Sequence, residues 1–449
     1  MSTRTPEEPP DRIGGVPPTL TQSGAARFWL AVFLTGVGAG LGAAVLTRLL
    51  VVVQAYMWPG PGTLSAAVAR TSAWHHVVVL AAAGLLTGVG QLLLVRLSSG
   101  NGIDISAAIW FSAGRLPKLR TVGSAVLSIV DVAMGASLGR EGAPKQVGAV
   151  LADALADRSR LSDEQRRLLV ACGAGAGMAA AYGVPLGGAL FALEVLRGML
   201  ALRLVLPALL ASLVATVVSW IALPDAPTYT LPAFTTSPSI LVWSLVVGPI
   251  AGFVSVGYVR AIAWAERHKP SGWTRVLLPT AVLATLGAAS IGYPQLLGNG
   301  KDIAQTAFQG QMAPLVIVAL LFLKPLATVA CVGSGTPGGL FTPSLALGAL
   351  VGAALGYAWS LVWPGVPPGL FALVGAAALL AATTQGPIST VVLLIEMTGH
   401  DRSFLAPAIL AVVTATLVAR TIEPRSIYDA KLTDAEVAER LRKRAPSAQ

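Results

Sequence analysis

The stretch GNGIDI at residues 100–105 decides the fold, because a near copy, GNGKDI, recurs at residues 298–303. The two copies lie about 200 residues apart, close to half the chain. LGREGAP matches SGTPGGLFTP at nearly the same spacing when Gly139 is aligned with Gly335, and GVPLGGALFALEVL matches QGPISTVVLLIEMT. Three landmarks that recur in one order indicate two homologous halves.

The sequence around these landmarks is much more apolar than that of a soluble protein. Of 449 residues, 54% are hydrophobic and 12% are charged, and the mean hydropathy is +0.71. Soluble domains carry about 25% charged residues. A membrane span needs about 20 apolar residues, and such stretches run from residue 26 to residue 421 with few interruptions. We therefore predict an all-α polytopic membrane protein.

The apolar segments differ in length. Residues 26–57, 74–97 and 240–266 suffice for full, tilted spans. Shorter segments, bounded by Gly, Pro or charge and in some cases giving about half a crossing, cover residues 143–155, 185–194, 338–356 and 387–396. Broken helices at corresponding positions in two halves are typical of a transporter with its site near the membrane midplane.

The pattern predicts four parts. Residues 1–25 form a disordered N-terminal tail rich in Pro, Gly and charge, without the apolar core of a secretory signal. Residues 26–223 and 224–421 form the two membrane repeats. Residues 422–449 form a cytoplasmic tail with at most one short amphipathic helix, too small for a regulatory domain. The net charge of +10 fits cytoplasmic loops that fix the topology, and it would also attract anions.

The candidate site follows from the glycine-rich breaks. Irregular backbone at membrane depth is tolerated only where it is buried in protein or lines a cavity. GREGAP at residues 139–144 and GTPGGLFTP at residues 335–343 each place Gly and Pro where a helix would begin. Two helix N-termini aimed at one point would offer free N–H groups and about half a positive charge each, which is an anion site.

Glu141 is the candidate gate and proton carrier, because an ionisable group in an apolar region is costly and points to function. Its carboxylate could take the place of an anion beside the helix N-termini and leave on protonation. The alternative is a simple ion pair with Arg140.

Two polar side chains could contact an ion nearby. Asn101 has an amide with two donors, or it is a turn residue that tolerates positive φ. Tyr428 offers a phenolic donor, or it is an interfacial aromatic residue. Asp104 and Asp302, which follow the repeated turns, are predicted to be helix caps.

Together these motifs resemble the CLC family of chloride channels and anion/proton antiporters over nearly the whole chain. The family's G-S-G-I-P appears as GNGID at residues 100–104, G-R-E-G-P as GREGA at residues 139–143, and G-x-F-x-P as GLFTP at residues 339–343. The family's late tyrosine falls on Tyr428. The resemblance implies two inverted repeats of full and broken helices, and a plasma-membrane homodimer with a separate pathway for chloride or other small anions in each subunit.

The resemblance also implies roles for individual residues. Glu141 would be the external gating glutamate that exchanges protons. The positions that would contact the anion, through side chains or backbone amides, are Asn101, Arg140, Gly142, Leu340, Phe341 and Tyr428. Glu194 and Glu396 would lie near the subunit interface, and we expect them to make structural hydrogen bonds at helix ends.

Three departures from the family pattern concern the substrate. Asn101 replaces the usual serine, Ala143 the usual proline, and Val195 the inner proton-transfer glutamate of many antiporters. Family channels and the fluoride-exporting branch also lack that glutamate, and the fluoride branch also replaces the serine. Chloride is the leading substrate. Fluoride is the alternative, because a two-donor amide could better compensate its stronger hydration. Lys145 adds positive charge close to the proposed site.

Other function classes lack their motifs. The four histidines show no H-E-x-x-H spacing, and no nucleophile and base pair is evident, so we expect no enzyme. Cys172 and Cys331 sit alone in apolar segments, which predicts neither a disulfide nor a metal site. GAGLGA at residues 38–43 fits a dinucleotide pattern only formally and is better explained by helix packing. We expect no cofactor and no nucleic-acid partner.

Overall fold

The computed structural model describes residues 24–98, 104–399 and 402–444, and within these ranges the regular secondary structure is helical, apart from one isolated bridge between Gly139 and Gly339. The all-α prediction is confirmed. The first half contains α1 Ala25–Met57, α2 Leu64–Val68, α3 Ala73–Leu97, α4 Ile105–Phe111, α5 Lys118–Met134, α6 Gly142–Arg158, α7 Asp163–Tyr182, α8 Pro185–Leu190 and α9 Leu202–Ser219. The second half contains α10 Pro238–Arg267, α11 Thr274–Ala289, α12 Lys301–Phe308, α13 Pro314–Gly333, α14 Phe341–Ser360, α15 Pro368–Thr384, α16 Pro387–Thr398, α17 Leu405–Ile422 and α18 Asp434–Arg444.

Six stretches of the described chain are long and apolar enough to cross a membrane, so this is an integral membrane protein. The predicted full spans correspond to α1, α3 and α10. The prediction that the segment at residues 338–356 is too short for a full span was wrong. The helix α14, which covers most of this segment, has 20 residues and is long enough to cross a membrane. Gly356 does not end this helix. It packs against the ring of Phe371, which a Cβ at that position would approach to 2.4 Å.

The helix α14 also differs from the other spans in its surroundings. Its mean hydropathy of 1.4 is the lowest of the six, and 78% of its apolar window is buried. The window of α3 is only 33% buried. We infer that α14 runs through the protein interior while α3 faces lipid, which explains why α14 tolerates a less apolar sequence.

The two halves meet through reciprocal contacts. The Gly139 N–H donates to the Gly339 carbonyl, and the Gly339 N–H donates to the Gly139 carbonyl, both at 2.7 Å. Such an exchange is expected between repeats related by a pseudo-two-fold axis. In space, the structure pairs Gly139 with Gly339, the first residue of the GLFTP motif.

A second reciprocal contact joins α8 and α16. The Glu194 carboxylate accepts hydrogen bonds from two N–H groups at the start of α16, and the Glu396 carboxylate accepts two at the start of α8. The four donors, at 2.6–3.1 Å, are the N–H groups of Leu186, Gly187, Ile388 and Ser389. Both acids therefore cap a helix of the other half, which confirms their expected structural role.

Small residues set the distance between neighbouring helices. Gly148 in α6 and Gly173 in α7 face each other so closely that a Cβ on either would lie 2.0–2.3 Å from the other's carbonyl oxygen. Gly40 in α1 approaches the Ala215 carbonyl of α9 in the same way, at 2.5 Å. The packing interpretation of the glycine-rich stretches is confirmed at these positions.

Local sequence signals are seen at a helix start and in the C-terminal tail. Ser162 and Gln165 form a capping box at the start of α7. The tail forms the expected short helix, α18, and Arg440 of this helix pairs with the buried Asp429. The N-terminal tail predicted at residues 1–25 lies, up to residue 23, outside the described residues.

The reciprocal caps predict matched losses of stability. Replacing Glu194 or Glu396 by Gln removes the charge from two N–H···carboxylate bonds, so each variant should lose about 1–2 kcal/mol of stability. Because the two sites are equivalent, the losses should be similar. Thermal unfolding in detergent measures them, with Asp225→Asn in an exposed loop as the control. A loss no larger than that of the control would contradict the cap role.

Candidate functional site

The helices α6 and α14 begin at the same place inside the membrane domain. The bridge between Gly139 and Gly339 lies just before both helices. Glu141 directly precedes α6, and Leu340 directly precedes α14. The N-termini therefore meet as the sequence predicted, and their free N–H groups converge on one small volume.

The Glu141 side chain occupies this volume and is fully buried. Its Oε1 accepts the backbone N–H of Phe341, the first residue of α14, at 2.7 Å. Its Oε2 accepts hydrogen bonds from the hydroxyls of Thr342 at 3.1 Å and Tyr182 at 3.2 Å, and these hydroxyls lie 2.8 Å apart. A carboxylate is thus held where a helix N-terminus would bind a small anion.

Arg140 does not neutralise Glu141. Its guanidinium carbon lies 5.0 Å from the centroid of the Tyr182 ring, a cation–π distance. Within the described residues the two side chains form no ion pair, and the Arg140 Nε has no hydrogen-bond partner. The alternative of a simple Arg140–Glu141 pair is therefore wrong, because the arginine lies on the tyrosine ring while the carboxylate turns to α14.

Two glycines make room for the carboxylate. A Cβ on Gly139 would lie 2.1 Å from the Glu141 Oε1, and one on Gly339 would lie 2.2 Å from the same atom. No side chain fits at either position while Glu141 keeps this conformation. The glycines of both motifs are thus needed for close approach of a negative group to the backbone.

Tyr428 lies in the short turn Ile427–Asp429, near the start of α6. Its ring packs edge-on against Phe191, with centroids 5.3 Å apart. Its hydroxyl is buried and has no hydrogen-bond partner among the described residues. Asp429 fixes the turn by accepting the Ser106 hydroxyl at 3.0 Å and pairing with Arg440. The phenol hydroxyl therefore lies inside the protein, with its donor unused among the described residues.

Both acidic residues after the repeated turns cap a helix. Only the first of them caps the helix that directly follows it in the chain. Asp104 accepts the Ser106 N–H at 3.1 Å at the start of α4, as predicted. Asp302 instead accepts the N–H and the hydroxyl of Ser65 in α2, both at 2.9 Å. Asn101, which precedes Asp104 in the first repeated turn, lies outside the described residues.

A cavity of about 370 Å³ reaches the helix starts, where Gly142, Gly339 and Leu340 line it together with Tyr428 and Lys145. The charged groups that line its mouth are Asp104, Arg120, Glu266, Lys269, Arg275 and Lys431. Among these lining residues the cations outnumber the acids, so the cavity should attract anions.

Two ion pairs hold the mouth of the cavity. Lys269 and Glu266 are 2.7 Å apart, and Lys431 and Asp104 are 3.4 Å apart. The Glu266 carboxylate, helped by Asp104, raises the pKa of Lys431. Lys431 therefore keeps its charge across the physiological pH range.

Sequence reasoning missed three polar residues around the site. Thr342 lies inside the GLFTP motif, but its hydroxyl was not recognised as a partner of Glu141. Tyr182, at the end of α7, and Asp429, beside Tyr428, reach the site only through the tertiary fold. Their sequence neighbourhoods carry no signal for these contacts.

Two helix N-termini that meet at a buried carboxylate inside an apolar helical domain are an arrangement that suits a membrane protein of the transport class. The sequence profile described as voltage gated chloride channel matches residues 83–420. The chain therefore belongs to this CLC family.

Related proteins match this sequence over most of its length. The voltage-gated ClC-type chloride channel ClcB of Citrobacter koseri is 30% identical over 419 residues, which cover 90% of this chain and 98% of the relative. The putative chloride channel protein ClcB-like of Ralstonia nicotianae is 32% identical over 369 residues, covering 79% and 85% of the two chains.

Two solved structures share the fold. A slow cyanobacterial Cl⁻/H⁺ antiporter matches with a TM-score of 0.77 at 22% identity, covering 94% of this chain and 99% of the other. A CLC-type fluoride/proton antiporter matches with a TM-score of 0.71 at 22% identity, covering 90% and 98%. The predicted CLC-like architecture is confirmed by these matches.

The close fit around the carboxylate predicts what a single methyl group would do. In Gly139→Ala the new Cβ would overlap Glu141, so the carboxylate should move by at least about 1 Å, because non-bonded atoms rest about 3.5 Å apart. Cryo-electron microscopy of the variant would show the displacement. Gly257→Ala is the control, since nothing lies within 4 Å of a Cβ there. A carboxylate still bonded to the Phe341 N–H would contradict this prediction.

Proposed function

We propose that the protein conducts small anions, with chloride as the main substrate, through a pathway in which Glu141 is the gate. The observation that carries this proposal is the Glu141 carboxylate on the N-terminus of α14, bonded to the Phe341 N–H and to two hydroxyls. A free anion needs the same donors, so Glu141 and an anion compete for one place.

Protonation decides this competition. A neutral carboxylic acid loses most of its attraction to the helix N-terminus, and one of its oxygens becomes a donor that no longer fits an N–H partner. The side chain then leaves, and an anion enters. Low pH should therefore open the pathway by populating the neutral form of Glu141.

The other anion-binding positions that the family resemblance implies lie along the same anion pathway. The backbone N–H groups of Leu340 and Phe341 would hold the anion at α14, and those around Arg140 and Gly142 would hold it at α6. The Tyr428 hydroxyl has a donor to offer, because it is unsatisfied within the described residues. The Asn101 amide would add two more donors.

The inner end of the proton pathway differs from that of many antiporters. These antiporters carry an inner glutamate where this chain has Val195, which is 4% exposed in the π-helical turn Phe191–Arg197. Valine cannot carry a proton. We therefore propose that protons control the gate, and that a proton transported together with the anion would reach Glu141 without passing through position 195.

The relatives support chloride, because the proteins named as chloride channels share 30–32% identity with this chain. The alternative substrate is fluoride. The residue that supports this alternative is Asn101, which stands in the place of the usual serine. Liposome flux with chloride or fluoride as the sole permeant anion, recorded together with pH, separates the two and reports proton coupling. Faster fluoride than chloride flux would favour the alternative.

The gate predicts the behaviour of Glu141→Gln. Glutamine mimics the protonated acid permanently, so chloride flux through the variant at neutral pH should exceed the wild-type flux at the same pH, because no carboxylate competes for the helix N-terminus. The variant's flux should change less than about twofold when the medium is acidified, since the titrating group is gone. Reconstituted liposomes with a chloride electrode measure this.

The control for the gate is Asp225→Asn, which removes an exposed carboxylate and should keep the wild-type pH profile. An unchanged pH profile in Glu141→Gln would exclude Glu141 as the gate.

We further propose a homodimer in the plasma membrane, joined through the face that contains α8 and α16. Leu186 and Ile388, at equivalent positions of these helices, are 52% and 50% exposed in the single chain. Such a symmetric apolar face suits a two-fold interface. Light scattering of the purified protein in detergent gives its molar mass, and a monomer with full anion flux would contradict the dimer.

A further inference from the structure

Lys145 lies in the second turn of α6, four residues after Glu141, and is 5% exposed. Its Nζ is 4.3 Å from the centroid of the Tyr428 ring and 5.2 Å from that of Phe191. Within the described residues its ammonium makes no ion pair and donates no hydrogen bond, whereas its backbone N–H donates to the Glu141 carbonyl at 3.4 Å. An ammonium that lines the cavity beside two aromatic rings, without an ion pair, is only partly compensated.

Glu141 and Asp104 attract this charge from a distance, but the Glu141 carboxylate makes no ion pair with it among the described residues. Its two oxygens are taken by the Phe341 N–H and the hydroxyls of Thr342 and Tyr182. The acids of the cavity mouth are also engaged, Glu266 with Lys269 and Asp104 with Lys431. Arg120 and Arg275, which line the same cavity, add further positive charge.

Lys145 shares its surroundings with a second unsatisfied donor. The Tyr428 hydroxyl is buried without a partner among the described residues. Both side chains line the cavity that reaches the helix starts at Gly142 and Leu340. A small anion in this part of the cavity would receive a charge from Lys145 and a hydrogen bond from Tyr428, and it would satisfy both groups.

We propose that Lys145 and Tyr428 form an inner anion subsite, in which the Lys145 ammonium holds one halide or fluoride ion between the cavity and the Glu141 position. This subsite depends on the proposed anion pathway. It specifies how that pathway would select anions over cations. Because the ammonium is fixed in α6, it attracts anions whether or not Glu141 is protonated. It also repels protons that would approach Glu141 from the cavity, which suits a chain with valine at position 195.

The test is equilibrium anion binding to the full-length protein in detergent. Sodium chloride and sodium fluoride are titrated against sodium gluconate at constant ionic strength, and binding is followed by calorimetry and by the rise in unfolding temperature that a ligand of the folded state produces. Lys145→Met should weaken binding of the small anion at least about tenfold and should flatten the temperature rise. Lys145→Arg, which keeps the charge, should retain most of the affinity.

The matched control is Arg267→Met, which removes one exposed cation at the end of α10 without changing the cavity lining. It should bind like the wild type. Lys145→Gln serves as a second neutral variant should Lys145→Met fail to fold. Wild-type affinity in either neutral variant would overturn the proposal.

The outcomes also separate this proposal from the proposed function. If the neutral Lys145 variants bind chloride and fluoride normally while Glu141→Gln has lost its pH dependence, the inner subsite is wrong and the gate stands. If wild-type protein neither binds nor conducts chloride or fluoride, both proposals fail. Weak binding in the neutral variants together with gating in the wild type supports both.

Discussion

A carboxylate inside the membrane domain needs strong compensation, and the rest of the structure is arranged around supplying it. Glu141 is fully buried, and its compensation is the N-terminus of α14 with the hydroxyls of Thr342 and Tyr182. The neighbouring Arg140 does not pair with the Glu141 carboxylate, because its guanidinium lies over the Tyr182 ring. The donors that hold the Glu141 carboxylate are those that a small anion would also need.

The pseudo-two-fold relation of the halves is what brings these donors together. One half supplies α6 with Glu141, the other supplies α14, and the Gly139–Gly339 bridge joins the two starts. The same relation places Glu194 at the start of α16 and Glu396 at the start of α8. The two halves thus satisfy each other's helix starts in reciprocal pairs.

The cations that line the cavity differ in how they are paired. Lys269 and Lys431 pair with acids, whereas Lys145 lies against two aromatic rings and makes no ion pair within the described structure. The proposed subsite depends on this difference, because an acid paired with Lys145 would neutralise its charge, and an ammonium without aromatic neighbours would be more costly to bury. The Asp429–Arg440 pair keeps Tyr428 in place beside it, so the C-terminal helix contributes to the geometry of the site.

The sequence by itself determined the features that depend on neighbouring residues. Apolar composition fixed the membrane class, recurring glycine motifs revealed two halves, and Gly and Pro placed the helix starts beside Glu141. Only the tertiary structure decided which groups meet across long separations. It chose Gly339 as the partner of Gly139, turned Glu141 toward α14 and away from Arg140, and brought Tyr182 to the carboxylate. These contacts join residues up to 200 positions apart, and their geometry depends on how the helices pack, which no local pattern records.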